Sequence, residues 1–323
     1  MTTISGPAAR YVGASVTRKE DKRHLTGHGL YVDDVVLPGM LHAAFLRSEL
    51  AKATITHLDA AAARALPGVV AVFTWQDFDG RFGETWHAML GEDLKVPPPL
   101  AVTDVRHVGD PIALVVADSR YVAEDACELI EVDLDPSDPC VDFVTAAADT
   151  DHLVHGAWGF PSNAMVEVPF TPLSPDLDDV FASSPHVVEA EIQQNRYLCV
   201  PMETRGIVAS WAPGRDEIDI TCSCQGVHEA RNFFARYLQV PEGQVRVHAR
   251  DVGGGFGQKM FVFREECAVV LATRLLGRPV KWIEDRRENL IAAPHSRNEF
   301  GTVRMAIDDD HVIQAITIDH VAD

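Results

Sequence analysis

Four glycines surround one aromatic residue in a short stretch that reads Asp251-Val252-Gly253-Gly254-Gly255-Phe256-Gly257-Gln258-Lys259. Glycine tolerates positive φ and has no Cβ, so backbone N–H groups in such a loop can approach an anion closely. The flanking residues predict a strand at 244–249 and a helix at 260–276, whose N-terminal end would favour the same ligand. The pattern therefore indicates an anion or cofactor site.

Two nucleotide motifs do not fit this loop. A Walker-type loop ends in Gly-Lys-Ser or Gly-Lys-Thr, whereas Met260 follows Lys259, and a Gly-x-Gly-x-x-Gly pattern from Gly253 fails at Gln258. The alternative interpretation is a tight glycine turn with no ligand. Phe256 bears on this choice, because a large ring in such a loop must either enter the core or face a flat ligand. From the residues alone, both interpretations remain open.

Gln225 occupies a similar position one strand earlier. A strand is predicted at 217–224, and a helix at 226–238 follows from apolar residues spaced at i, i+3, i+4, i+7 and i+8 from Ala230. The carboxamide of Gln225 can both donate and accept hydrogen bonds at the mouth of that helix. Ligands of α/β sheets bind where such strand-to-helix junctions meet. We therefore expect Gln225 and the glycine loop to border one cavity.

Composition narrows the class of protein. The 323 residues are 46% hydrophobic and 24% charged, which is typical of a globular protein long enough for two domains. Lys+Arg 28 against Asp+Glu 48 gives a net charge of −20, which argues against a nucleic-acid or anionic-membrane surface. No signal peptide or membrane span is predicted, so the expected location is cytoplasmic. The six cysteines include no Cys-x-x-Cys pair, so no iron–sulfur ligand run is predicted.

The chain divides into three predicted parts. Residues 16–134 alternate short strands and helices, residues 135–175 are a connecting segment rich in Pro, Asp and Ser, and residues 176–323 form a second α and β unit. Isolated polar residues beside strands in the first part, such as Asp110, are interpreted as turn or surface groups. His152 and His155 lie in the connecting segment without a predicted helix to bring them together, so no metal site is assigned to them.

A series of motifs in this sequence resembles those of the molybdenum-binding large subunit of the xanthine dehydrogenase, aldehyde oxidase and carbon monoxide dehydrogenase family. The resemblance is above all to the bacterial form, in which this subunit is a separate chain. The similarity extends over nearly the whole sequence. The motifs are Arg18-Lys19-Glu20-Asp21, Leu25-Thr26-Gly27, Tyr31-Val32-Asp33-Asp34, Leu37-Pro38-Gly39-Met40-Leu41-His42-Ala43-Ala44-Phe45-Leu46-Arg47-Ser48, Ala65-Leu66-Pro67-Gly68-Val69, Val108-Gly109-Asp110-Pro111, Ser119-Arg120-Tyr121-Val122-Ala123-Glu124-Asp125-Ala126, Pro201-Met202-Glu203 and Arg278-Pro279-Val280-Lys281-Trp282.

The resemblance implies an α+β protein, with an a/b-hammerhead domain at 16–134 and the first part of a molybdopterin-binding α/β domain at 176–323. It implies that Gln225 hydrogen-bonds an oxo ligand of molybdenum, and that Gly254, Gly255, Phe256 and Gly257 lie against the metal and the pterin. No residue here is expected to coordinate molybdenum directly; Gln225 and Phe256 would lie beside it. The implied cofactor is molybdopterin with molybdenum, in the cytosine dinucleotide form.

The resemblance also implies a reaction and partners. The family hydroxylates aldehydes or N-heterocycles, or oxidises CO, with water as the oxygen source, and passes electrons to a [2Fe-2S] subunit and an FAD subunit. Met260 stands where the purine-oxidising branch has a glutamate, which argues against xanthine as the substrate.

The general-base glutamate is expected outside this chain, on a second molybdenum-domain chain, and the expected assembly is a dimer of heteromers. The alternatives are a non-catalytic assembly or scaffold subunit, an inactive truncated fragment, or a nucleotide-binding module.

Overall fold

The computed structural model describes residues 13–83, 85–87, 93–95, 97–164, 166–168 and 176–323. The helices are α1 (Asp21–Leu25), α2 (Ala61–Ala65), α3 (Trp75–Phe78), α4 (Arg120–Cys127), α5 (Phe143–Ala146), α6 (Leu177–Ser183), α7 (Val227–Tyr237), α8 (Arg264–Leu276) and α9 (Arg286–Ala292). The strands are β1 (Leu41–Arg47), β2 (Ala53–Asp59), β3 (Val69–Phe73), β4 (Thr85–His87), β5 (Asp93–Lys95), β6 (Asp104–Val105), β7 (Pro111–Ala117), β8 (Glu131–Pro136), β9 (His186–Gln194), β10 (Gly206–Ala212), β11 (Glu217–Cys222), β12 (Val245–His248), β13 (Val280–Ile283), β14 (Glu299–Ile307) and β15 (Ile313–Ala322).

A seven-stranded mixed sheet is the centre of the fold, in the order β12-β11-β10-β13-β1-β7-β3. Strands from the first and second predicted parts pair within it, because β1 runs parallel to β13 with Leu41 opposite Val280. Smaller sheets pair β6-β2-β8, β15-β14-β9 and β4-β5. The structure is therefore α+β, as the sequence predicted, and its two parts share one sheet.

Strand β7 shows how helices cover both faces of that sheet. All seven of its residues are buried. Leu114 and Val116 belong to the large hydrophobic cluster that includes α7 and α8, whereas Ala113 and Val115 pack in a second cluster with Ala123 of α4. Side chains alternate along a strand, so a continuous apolar run is typical of a strand covered on both sides.

Strands β11 and β12 position the candidate site. They are parallel neighbours, with Thr221 opposite His248 near their carboxyl ends. Gln225 follows the end of β11 and the glycine loop follows the end of β12, so the two junctions lie side by side at one edge of the sheet. Helix α7 packs against this pair through the predicted stripe, in which Ala230, Phe233 and Phe234 are buried.

The helix after the glycine loop differs from the sequence prediction. It begins at Arg264 rather than at residue 260, because residues 256–260 form turns in which Gln258 N donates to Gly255 O and Met260 N donates to Gly257 O. Leu275, in its last turn, is 40% exposed. The N-terminal end of α8 therefore does not directly follow the loop, and a dipole contribution to the loop is not supported.

Portions of two predicted parts lie outside the described residues, namely positions 84, 88–92 and 96 of the first part and positions 165 and 169–175 of the connecting segment. The rest of that connecting segment contains α5, a 3-10 turn at Gly156–Trp158 and short turns. None of the helices in the described ranges has the length and apolar composition to cross a membrane.

Candidate cofactor site

The glycine loop turns through a series of left-handed residues. Gly254 has φ +98° and Gly257 has φ +94°, values that glycine adopts without steric cost. Phe256 lies between them at φ 52°, which is uncommon for a residue with a side chain and marks a strained position. Its ring is 69% exposed rather than inserted in the core. Of the two alternatives for this ring, the structure excludes burial in the core of this chain.

Gln225 is fixed against this loop at two points. Its backbone N–H donates to the Lys259 carbonyl at 2.8 Å, and its side-chain Oε1 accepts from the Gly257 N–H at 2.9 Å. Oε1 is committed to the loop, and within the described residues the two N–H donors of the amide have no hydrogen-bond partner, so they can serve another acceptor. The structure therefore brings Gln225 and the glycine loop together.

Gly255 makes this approach possible. A Cβ at Gly255 would lie 2.4 Å from Oε1 of Gln225 and 2.7 Å from its Cδ, closer than any real carbon contact. Glycine at this position therefore has a packing reason, since Gly255 is not among the glycines with positive φ.

The backbone of the loop leaves three consecutive donors without a protein partner. Within the described residues, the N–H groups of Gly254, Gly255 and Phe256 make no hydrogen bond, whereas Gly253 N, Gly257 N and Gln258 N all do. Successive free N–H groups in a turn with left-handed residues form an anion-binding concavity. An anionic or oxo-bearing group fits this donor set, and the amide of Gln225 adds donors at its edge.

The segment before β10 covers the loop from one side. The Cys199 thiol donates to the Phe256 carbonyl at 3.2 Å, and Pro201 lies near Gly254. The Arg286 guanidinium of α9 donates to the carbonyls of Pro201 and Met202. The hydrogen bond from Cys199 to the Phe256 carbonyl therefore helps to fix the backbone that bears the exposed ring.

A buried polar layer lies directly beneath the loop. Its members are Glu203, Ser223 and Lys259, and the side chain of Lys259 has no exposed surface. Burial lowers the pKa of Lys259, and the nearby Glu203 carboxylate opposes that shift. Glu203 and Lys259 both lie within the sequence motifs, but no role was predicted for either residue. Lys259 could have been noticed from the sequence, because a charged residue inside a glycine loop is costly to bury without a partner.

Gln258 links the loop to α9. It is 2% exposed, its Oε1 accepts from Asn289 Nδ2 at 2.9 Å, and its Nε2 has no hydrogen-bond partner within the described residues. Asn289 in turn donates to the buried carboxylate of Glu284 at 2.7 Å. This residue too was missed as a site candidate, since nothing in a single sequence separates a buried glutamine from a surface one.

Other polar residues do not join the site. Asp110 is fully buried, where it accepts from Arg106 N at 2.9 Å and from the guanidinium of Arg264, so it is an internal anchor rather than the turn or surface group expected. No group of three His, Cys, Asp or Glu side chains that could hold a metal occurs in the described ranges. Met260 is 51% exposed beside the loop.

The fold and the loop together define a class: an α+β chain with a glycine-rich candidate cofactor site at the edge of a mixed sheet. Residues 26–138 match the family described as aldehyde oxidase and xanthine dehydrogenase, a/b hammerhead domain, and residues 161–323 match the molybdopterin cofactor-binding domain. The chain belongs to this family of molybdopterin-dependent oxidoreductases. The resemblance read from the sequence is confirmed.

Individual relatives agree with this assignment. The nicotine 6-hydroxylase large subunit of Paenarthrobacter nicotinovorans is 38% identical over 94% of this chain, and the carbon monoxide dehydrogenase large chain of Hydrogenophaga pseudoflava is 34% identical over 94%. The crystal structure of quinoline 2-oxidoreductase from Pseudomonas putida 86 superposes with a TM-score of 0.85 at 37% identity over 95% of this chain. The chain spans 37% of the nicotine hydroxylase subunit, and 39% of both the carbon monoxide dehydrogenase chain and the quinoline enzyme chain.

Proposed function

We propose that this chain provides the cofactor-facing part of a molybdenum hydroxylase large subunit, in which Gln225 and residues 254–257 hold the molybdopterin cofactor. One observation carries the proposal: within the described residues, the N–H groups of Gly254, Gly255 and Phe256 and the amide N–H groups of Gln225 have no hydrogen-bond partner, and Gln225 Oε1 is held by the same loop at Gly257 N. When bound, the molybdenum cofactor supplies oxidative hydroxylation with water as the oxygen source.

The residues of this chain have separable tasks in that proposal. The amide nitrogen of Gln225 donates toward an oxygen ligand, and its orientation is set because Oε1 is held by Gly257 N at 2.9 Å. The loop N–H groups are preorganised donors, which cost no reorganisation when charge develops on a bound group. The exposed ring of Phe256 would shield one side of the bound cofactor from water. The proton-accepting glutamate is proposed to lie on polypeptide outside this chain.

The proposed substrate is an aldehyde or an N-heterocycle, with CO as the further member of the set. The relatives named for nicotine and quinoline, at 38% and 37% identity, support an N-heterocycle as the substrate.

We further propose the cytosine dinucleotide form of the cofactor, a cytoplasmic location, and a dimer of heteromers that includes a second molybdenum-domain chain, a [2Fe-2S] subunit and an FAD subunit. These partners are supported by relatives named as the large or gamma subunits of complexes.

The test is to purify the chain under its native promoter, with whatever co-purifies, from cells supplied with molybdate. Molybdenum is measured by mass spectrometry and the pterin by fluorescence after oxidative release. The proposal requires both in near-equal amounts, and calorimetry with released molybdopterin dinucleotide to give binding that ATP and NAD do not. A complex without pterin, or one that binds ATP instead, would contradict it and favour a scaffold or a nucleotide-binding role.

A further inference from the structure

The carboxylate of Glu203 holds the entry to the glycine loop. Its Oε2 accepts from Gly253 N at 2.8 Å, while Glu203 N donates to the Gly253 carbonyl at 3.1 Å, so the two residues are joined reciprocally. A Cβ at Gly253 would lie 2.5 Å from the Cβ of Glu203. Glycine at this position therefore allows the loop to lie directly on Glu203.

Lys259 holds the exit from the same loop. Its ammonium donates to Glu203 Oε2 at 3.1 Å and to Ser223 Oγ at 2.6 Å, and Ser223 Oγ donates to the same Glu203 oxygen at 2.6 Å. The Lys259 carbonyl also accepts from Gln225 N at 2.8 Å. One carboxylate oxygen is thus shared by both ends of the loop.

Burial limits the movement of Lys259 and Glu203. The Lys259 side chain has no exposed surface and the Glu203 side chain is 14% exposed. A charge removed from water is tolerated only when it is paired and hydrogen-bonded, so neither partner can move away without leaving the other unpaired. A loop whose two ends meet at such a pair has little freedom to change its curvature, which is what a preorganised ligand site requires.

We propose that Glu203 and Lys259, bridged by Ser223, are positioning residues that clamp the two ends of the glycine loop. The clamp sets the direction of the N–H groups of residues 254–256 and, through the Lys259 carbonyl, the position of Gln225. The identity of the ligand that benefits rests on the proposed function above, whereas the clamp itself is a property of this chain's own residues.

The first test compares Lys259→Met with a matched control, Lys281→Met. Lys281 is also a buried lysine, but it lies on β13, and its ammonium bonds to the Asp33 carbonyl at 2.6 Å and to the Asp33 carboxylate at 3.1 Å, outside the glycine loop. Amide hydrogen exchange of the full chain from molybdenum-starved cells is read at Gly253 and Gly257. We expect about a tenfold faster exchange at both amides in Lys259→Met, corresponding to one lost hydrogen bond, and no change there in Lys281→Met.

Equal exchange in the two lysine variants would overturn the clamp. If Lys259→Met does not fold, Ser223→Ala replaces it, since this change removes the bridging hydroxyl and leaves the ion pair. Faster exchange at Gly253 and Gly257 in Ser223→Ala supports the clamp, and unchanged exchange overturns it.

A second readout separates the clamp from the proposed function. Pterin and molybdenum contents are measured in the same variants after growth with molybdate, and a fall confined to the loop variants supports the positioning role. Faster loop exchange with unchanged pterin content would overturn that role. A wild-type protein that holds no pterin, while the exchange difference persists, would contradict the proposed function and leave the clamp supported.

Discussion

Gly255 and Gln225 lie so close that a methyl group added to Gly255 would come within 2.4 Å of the amide oxygen of Gln225. Gly257 N also donates to Oε1 of Gln225 at 2.9 Å, so the amide cannot move away from the loop without breaking that hydrogen bond. The amide and the loop therefore act as one rigid surface, and a change in either displaces the other.

Gly255→Ala tests this contact. We expect the added carbon to displace Gln225 or the loop, with a loss of about 1–3 kcal/mol of unfolding free energy, typical of overpacking, and a fall of about tenfold in bound pterin. Gly243→Ala is the matched control, because no atom lies within 4 Å of a Cβ there. Its effect should stay within about 0.5 kcal/mol. Similar pterin contents in the two variants would contradict the proposed contact surface.

Gln225→Glu and Gln225→Met separate the two functions of the amide. The glutamate keeps an acceptor for Gly257 N but has no N–H to donate, whereas methionine has neither group. If the amide donates to a bound oxygen, both variants should lose about 10²–10³-fold in kcat, as when one preorganised donor is removed. Steady-state kinetics, normalised to molybdenum content, give the answer. A glutamate variant with wild-type kcat would limit Gln225 to holding the loop.

Local patterns predicted the elements but not what joins them. The helix now bounded by Val227–Tyr237 was visible because Ala230, Phe233 and Phe234 repeat with helical spacing and bury one face. A strand such as β2 is harder to predict from sequence, because its residues alternate poorly and most are exposed or half-buried. The helix after the loop was predicted four residues too early, because apolar residues at 260–262 continue its pattern while the backbone there still turns.

The site was predictable only in part for the same reason. The glycine spacing and the position of Gln225 indicated a ligand loop, since both depend on local sequence. The hydrogen bonds of Lys259 to Glu203 and Ser223 span 56 and 36 positions, and no local pattern reports such pairs. Likewise, the sharing of one sheet by β1 and β13 depends on a tertiary pairing that the sequence did not reveal.

Arg205→Met tests the buried ion network behind the site. Arg205 is 1% exposed and pairs with Glu284 at 2.6 Å and with Glu265 at 3.0 Å. Removing the guanidinium leaves two buried carboxylates without that partner, so we expect a loss of about 3–5 kcal/mol in unfolding free energy, measured with urea. Arg231→Met, which breaks an exposed pair with Glu242, should cost less than about 1 kcal/mol. Equal losses would show that the buried network adds no more than a surface pair.

Glu266 predicts a pH dependence of stability. Burial raises its pKa from the ordinary 4.5 to about 8, an effect that the neighbouring Arg205 opposes and the Glu265 carboxylate reinforces. Between these values the unfolded chain has released the proton and the folded protein still holds it. The folded state therefore binds more protons in this window, and the free energy of unfolding falls as pH rises from about 4.5 to about 8. This group alone should remove roughly 3–5 kcal/mol across the window.

Glu266→Gln isolates this contribution. The glutamine is neutral at every pH and keeps an oxygen to accept from Phe263 N, where Glu266 now accepts at 2.6 Å. Urea unfolding between pH 5 and pH 8 should show the variant less pH-dependent than the wild type and more stable than it at pH 8. Glu242→Gln is the control for the loss of one carboxylate, because the Glu242 side chain is exposed. Its stability should follow the wild-type pH curve. If Glu266→Gln also follows that curve, Glu266 is ionised in the folded protein and the charge of Arg205 outweighs the effect of burial on its carboxylate.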